Sequence, residues 1–98
     1  MTPTFVELKR QSQGNLTTFL QTETKLAATF CDLFQRTENP EHRARLMGDM
    51  QKIVNVLRHF QERIEDRSIR ADILKKADGL SEFLVQQFKL AHHPNRHT

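Results

Sequence analysis

The sequence contains no tryptophan, no tyrosine and a single cysteine, Cys31, and few glycines or prolines interrupt it. A single cysteine excludes the intramolecular disulfides that stabilise many small secreted proteins. A chain of this length can bury roughly 65% of its unfolded surface, so it can form a core without cross-links. No histidine near Cys31 in the sequence would activate it, and we interpret it as a structural thiol. A lone thiol suits a reducing compartment, and we expect a cytoplasmic protein.

Long apolar runs are also absent. The segment from Met1 to Glu7 has neither the basic region nor the apolar stretch of a signal peptide, and no stretch is long enough to span a bilayer. The sequence also lacks a zinc-protease HExxH pair, a phosphate-binding glycine loop and a nucleophile paired with a base. We therefore expect no membrane partner, no cofactor and no metal, and a protein that is not an enzyme.

No stretch alternates apolar and polar residues with the period of two that a half-buried strand requires. Charged residues make up 28% of the chain and apolar residues 37%, a balance that suits an exposed helical bundle. The fold class predicted is therefore all-α.

Three short segments combine a helix break with a helix N-cap. They are Gly14-Asn15, Asn39-Pro40 and Asp66-Arg67-Ser68. The helices predicted between them run over about 16–37, 40–65 and 69–91. Connections of two or three residues force consecutive helices to run antiparallel, so we predict an up-down-up three-helix bundle.

This organisation divides the chain into three parts. Residues 1–14 form an N-terminal segment with a short helix, residues 15–91 form the bundle, and residues 92–98 form a disordered tail. The break at residues 65–68 contains no glycine, so an alternative is that the second and third helices form one continuous rod. A rod of that kind would have to dimerise to bury its apolar face.

Apolar residues recur at helical spacing in all three segments, and we assign them to the core. In the first helix they are Leu16, Phe19, Leu20, Leu26, Ala27, Phe30, Leu33 and Phe34. In the second they are Leu46, Met50, Ile53, Leu57, Phe60 and Ile64. In the third they are Ile69, Ile73, Ala77, Leu80, Leu84 and Phe88.

One carboxylate interrupts these apolar faces. Glu23 lies in the middle of the first helix's apolar arc, where an unpaired buried charge would cost several kcal/mol. In an antiparallel hairpin Glu23 comes level with Arg58, so we predict an ion pair that fixes the register of the two helices. A functional acid and a simply exposed side chain are the alternatives. Gln61 and Gln87 also fall on apolar faces, which indicates polar layers in the core.

The third helix has more apolar residues than one core face requires. Phe83 and Leu90 lie on one shoulder of that face, and Leu74 and Val85 lie on the other. Ordinary core packing is one explanation, and a surface that receives a second protomer or a partner helix is the other. We therefore predict a protein–protein interaction module, an adaptor, regulator or chaperone-like protein, that forms a homodimer.

One flank of the second helix carries a basic stripe, Arg45, Lys52, His59, Arg63 and Arg67. A stripe of this kind can follow a phosphate backbone, so nucleic-acid binding is the alternative function. The net charge of +3 is low for a nucleic-acid binder, and Asp49 and Asp66 lie on or beside the stripe. We therefore expect a solvated surface held by ion pairs within the helix.

Overall fold

The computed structural model describes residues 5–92, which form three α-helices and contain no strand. The helices are α1, Phe5–Arg36, α2, Pro40–Phe60, and α3, Arg67–His92. A short 3-10 helix, Gln61–Arg63, extends α2. The three helices pack against one another, which confirms the all-α class and the helical bundle. Residues 93–98 of the expected disordered tail lie outside the described residues, and His92 ends α3.

Residues 5–14 are part of α1, so the predicted break at Gly14 and the separate short helix before it are wrong; residues 1–4 of the N-terminal segment lie outside the described residues. Contacts of neighbouring side chains explain why the helix continues. Gln13 Nε2 donates a 2.7 Å hydrogen bond to the Arg63 carbonyl, and Gln13 Oε1 accepts one of 3.0 Å from the Glu65 amide. Lys9 pairs with Glu65 at 3.0 Å. These contacts fasten the first turns of α1 to the connection between α2 and α3.

The start of α2 is as predicted. Asn39 caps it by accepting hydrogen bonds from the amides of Glu41, at 2.9 Å, and His42, at 3.1 Å. Pro40 occupies the first helical position, where a missing N–H costs nothing because that amide has no partner within the helix.

The end of α2 differs from the prediction. α2 stops at Phe60 and not at residue 65, because the chain tightens into the 3-10 turn and Ile64 then adopts an extended backbone, with φ −79° and ψ 123°. Asp66 caps α3 by accepting hydrogen bonds from the amides of Ser68, at 2.9 Å, and Ile69, at 3.1 Å. The second and third helices are therefore separate, and the continuous rod is excluded.

The core confirms the predicted stripe of α2, of which only Phe60 is less than fully buried. Outside α2 the core is formed by Leu20, Ala27, Phe34, Ile64, Ile73, Ala77, Leu80 and Leu84.

At the C-terminal end of α3 the core prediction fails. Phe88 is 57% exposed, whereas Phe83 is half-buried with its ring edge-on to Phe34 at 5.7 Å between centroids. α1 ends at Arg36, soon after Phe34, and Phe34 is the residue of α1 that lines the same groove as Phe88. Little of α1 therefore remains to cover Phe88.

The continuity of α1 can be tested at Gly14, which has no positive φ and no atom within 4 Å of the Cβ that alanine would add. We expect Gly14→Ala to raise the free energy of unfolding by about 0.5–1 kcal/mol, because alanine loses less backbone entropy than glycine in a helix interior. Chemical denaturation followed by circular dichroism measures the change. Gly48→Ala, at an equally open position in α2, is the matched control. A gain at Gly48 with none at Gly14 would mean that the chain is not helical at residue 14.

Candidate protein-binding surfaces

Six large apolar side chains of the described residues are between 39% and 71% exposed, and they form two groups. We call Phe19, Leu26 and Leu33 the α1 row, and Val85, Phe88 and Leu90 the α3 end patch. Each side chain is anchored on a helix, so each group presents apolar surface from a fixed backbone.

The α3 end patch lies on open grooves between the first half of α2 and the last turns of α3. One groove, of about 720 Å³, is lined by Phe34, Glu38, Pro40, Arg43, Ala44, Met47, Gln87, Phe88 and Leu90. A second, of about 510 Å³, is lined by Met47, Gly48, Gln51, Leu84, Val85, Phe88 and Lys89. Met47 and Phe88 border both grooves, which makes them one continuous surface. We call it the α2–α3 groove.

The structure separates the residues predicted to contact a partner. Val85 and Leu90 line the α2–α3 groove and are exposed, whereas Leu74 and Phe83 are half-buried. Sequence reasoning missed Phe88 because it falls on the inward heptad position. The signal that could have predicted the exposure of Phe88 is the Asn39-Pro40 break, before which α1 ends.

The α1 row was also assigned to the core and is exposed instead. Its members repeat every seven residues on the edge of the apolar arc of α1, and the centre of that arc, Leu20 and Ala27, is buried. An edge row of this kind is buried only where a further helix covers it.

All five residues of the predicted basic stripe are exposed, but only Arg45, Lys52 and His59 lie on α2, because the helix ends at Phe60; Arg63 is in the 3-10 helix and Arg67 begins α3. The structure does not support the expected ion pairs: the salt bridges among residues 5–92 join Lys9 to Glu65, Arg36 to Asp32, Arg58 to Asp78 and Lys76 to Asp72. The carboxylate of Asp66 caps α3 instead. Arg63 lies over the ring of Phe60, with its guanidinium carbon 5.2 Å from the centroid. The stripe therefore presents positive charge that no carboxylate of residues 5–92 pairs.

The predicted pair of Glu23 and Arg58 is wrong. Glu23 is half-buried, and Arg58 pairs with Asp78 of α3 at 3.1 Å because it lies on the side of α2 that faces α3. The buried polar residue of the core is Gln61, whose Oε1 accepts a 2.8 Å hydrogen bond from Arg70 Nε. Its Nε2 donates to the Arg58 carbonyl at 3.2 Å. The amide thus joins α2 to α3 where an ion pair between α1 and α2 was expected.

Cys31 is half-buried, with its Sγ 3.5 Å from the Sδ of Met50. Burial raises the pKa of the Cys31 thiol, because the low-dielectric surroundings disfavour the thiolate. A raised pKa lowers the thiolate fraction at neutral pH, which is the opposite of what a nucleophile requires.

The described residues contain neither a metal-binding cluster nor a membrane-spanning helix. Residues 5–92 contain no group of three or more histidine, cysteine, aspartate or glutamate side chains placed to hold a metal ion. Within the same part of the chain, every helix is too short or too polar to cross a bilayer.

No family model, no curated protein and no solved structure matches the chain. The function of this protein is therefore inferred from its surfaces alone.

The Cys31 thiol provides a test of this packing. We expect iodoacetamide to alkylate it more slowly at pH 8 than an exposed cysteine, because a raised pKa leaves less thiolate at that pH. The rate should keep rising as the pH passes the ordinary thiol pKa. Mass spectrometry follows the reaction, and a Cys31→Ala/Asp32→Cys variant places an exposed thiol one residue away as the control. Equal rates for the two proteins would contradict the burial of Cys31.

Proposed function

We propose that this protein is a small protein–protein interaction module of the adaptor, regulator or chaperone-like kind, and not an enzyme, that acts in the cytoplasm through the α2–α3 groove. The observation that carries the proposal is the exposure of Phe88 and Leu90 on that groove. Monomeric proteins rarely leave large apolar side chains grouped on an open surface, and a groove that is mainly apolar is typical of a helix-binding site.

The proposed bundle runs up-down-up, which side-chain contacts support. Between α1 and α2, Phe19 meets Phe60, and Cys31, later in α1, meets Met50, earlier in α2. Between α2 and α3, Arg58 meets Asp78, and the later Gln61 meets the earlier Arg70. In this arrangement the N-terminal turns of α2 and the C-terminal turns of α3 lie together at the end of α1, and the groove opens there beside Phe34.

A second copy of the chain is the occupant that we propose for the α2–α3 groove. A two-fold axis would place Phe88 and Leu90 of each protomer against Met47 and Pro40 of the other, which buries the same apolar patch twice in one contact.

We expect Phe88→Ser/Leu90→Ser to remove self-association while leaving the helical content unchanged, because both side chains are exposed in the single chain. Light scattering or sedimentation at low and high protein concentration measures the mass, and far-UV circular dichroism measures the helicity. The parent should double its mass as the concentration rises.

Two controls accompany this test. Gln86→Ser, at an exposed position of α3 that does not line the α2–α3 groove, should dimerise like the parent. Phe83→Ser should lower the stability of the fold, because Phe83 packs on Phe34. A parent that stays monomeric at high concentration would contradict the homodimer and would restrict the groove to a different protein.

Nucleic-acid binding is the second candidate function, and the absence of ion pairs along the basic stripe among residues 5–92 favours it. It predicts that the protein retards RNA in a gel, that retardation falls steeply with added salt, and that Arg63→Gln/Arg67→Gln reduces it with little loss of stability. Failure of the parent to retard RNA at low salt would exclude this function.

A further inference from the structure

We propose that the face shared by α1 and α2 binds an acidic amphipathic helix of a partner protein. This face is distinct from the α2–α3 groove, so the proposal goes beyond the interaction module proposed above and does not depend on it. It combines the α1 row with the basic stripe of α2.

Phe60 connects the two halves of this face. Its ring lies edge-on to Phe19 of the α1 row at 6.4 Å between centroids. The same ring lies 4.7 Å from that of His59 and beneath the Arg63 guanidinium at 5.2 Å. At this level of the bundle, apolar surface from α1 is therefore continuous with the side chains of His59 and Arg63.

The two rows are in register along the face. The α1 row repeats every seven residues at 19, 26 and 33, and the stripe repeats every seven at 45, 52 and 59. In an antiparallel pair with Phe19 beside Phe60, His59 is level with Phe19, Lys52 with Leu26 and Arg45 with Leu33. Seven residues rise about 10 Å, so apolar and basic side chains alternate across the face in three levels over about 21 Å.

Within the described part of the chain, the cations of this face form no salt bridge with its acids. The cations Arg45, Lys52 and Arg63 are exposed, and none of them belongs to a salt bridge found among residues 5–92. The acids nearest the face, Glu23 and Asp49, are half-buried. The exposed residues of α1 beside the row, Thr22 and Thr29, are uncharged, which favours carboxylates on the partner.

The spacing favours a helix over the other anionic partners. A helix can repeat an apolar residue every seven positions along one line of its surface and carry acidic side chains beside that line. The apolar line then matches the α1 row, and the acidic side chains match the basic stripe. A phosphate backbone offers no apolar groups to pack against Leu26 and Leu33. An anionic bilayer requires apolar side chains that project from the surface, whereas the α1 row is less than half exposed.

The probe for this face is a synthetic helical peptide with leucine at the first and fourth heptad positions and glutamate on both flanks. A matched peptide carries lysine in place of glutamate. Calorimetric titration at low salt should show saturable binding of the glutamate peptide to the parent protein. We expect binding to be at least tenfold weaker for the lysine peptide and for Arg45→Gln/Lys52→Gln, because the charges at the edge of the site are then unmatched.

Three variants locate the binding. Leu26→Ser/Leu33→Ser should also lose the peptide, and circular dichroism should show its helices intact. Arg10→Gln/Lys75→Gln removes the same amount of charge from exposed positions off this face and should bind like the parent. Phe88→Ser/Leu90→Ser should also bind like the parent, which separates this proposal from a failure of the α2–α3 groove.

Several results would overturn the proposal. They are no saturable binding of the glutamate peptide, equal binding of the two peptides, or unchanged binding by both the Arg45/Lys52 and the Leu26/Leu33 variants. RNA or phosphatidylglycerol vesicles that bind the parent, with the glutamate peptide unable to compete, would reassign the face to phosphate groups.

Discussion

The burial of the α2 stripe between α1 and α3 is the interaction on which the rest of the structure depends. Met50, Val54 and Leu57 are almost wholly shielded from water, and they belong to the same core cluster as Leu20 of α1 and Ile73 of α3, which are equally buried. Each such side chain contributes about 1.5–3 kcal/mol by leaving water. Because α2 contacts both neighbours, its position fixes which faces of α1 and α3 remain uncovered.

Polar contacts refine this arrangement at one end of the bundle. Gln13 satisfies two backbone groups of the connection between α2 and α3, and Gln61 joins α2 to Arg70. Buried amides are retained when their hydrogen bonds are satisfied, and they then specify one register. The opposite end has the Asn39 cap, and α1 ends there beside the last turns of α3, where the α2–α3 groove opens.

The two proposed binding faces arise from one cause, which is that three helices cannot cover every apolar row that the sequence provides. The α1 row lies at the edge of the apolar arc of α1, and Phe88 lies at the end of α1, where Phe34 is the residue of that helix on the same groove. The α1–α2 face carries unpaired cations and suits an acidic partner. The α2–α3 groove has an apolar lining with charges of both signs and suits a second copy of the chain.

The sequence by itself determined the all-α class, the two N-caps at Asn39 and Asp66, and the stripe of α2, because capping and helical periodicity are local properties. Tertiary structure decided the rest. Gly14 remains helical because the Gln13 side chain beside it bonds to a segment fifty residues away. Arg58 pairs with Asp78 and not with Glu23, and Phe83 packs against Phe34 whereas Phe88 is exposed. Both outcomes depend on where the neighbouring helices lie and end. Periodicity gives the face of a residue, but only packing shows whether another helix covers it.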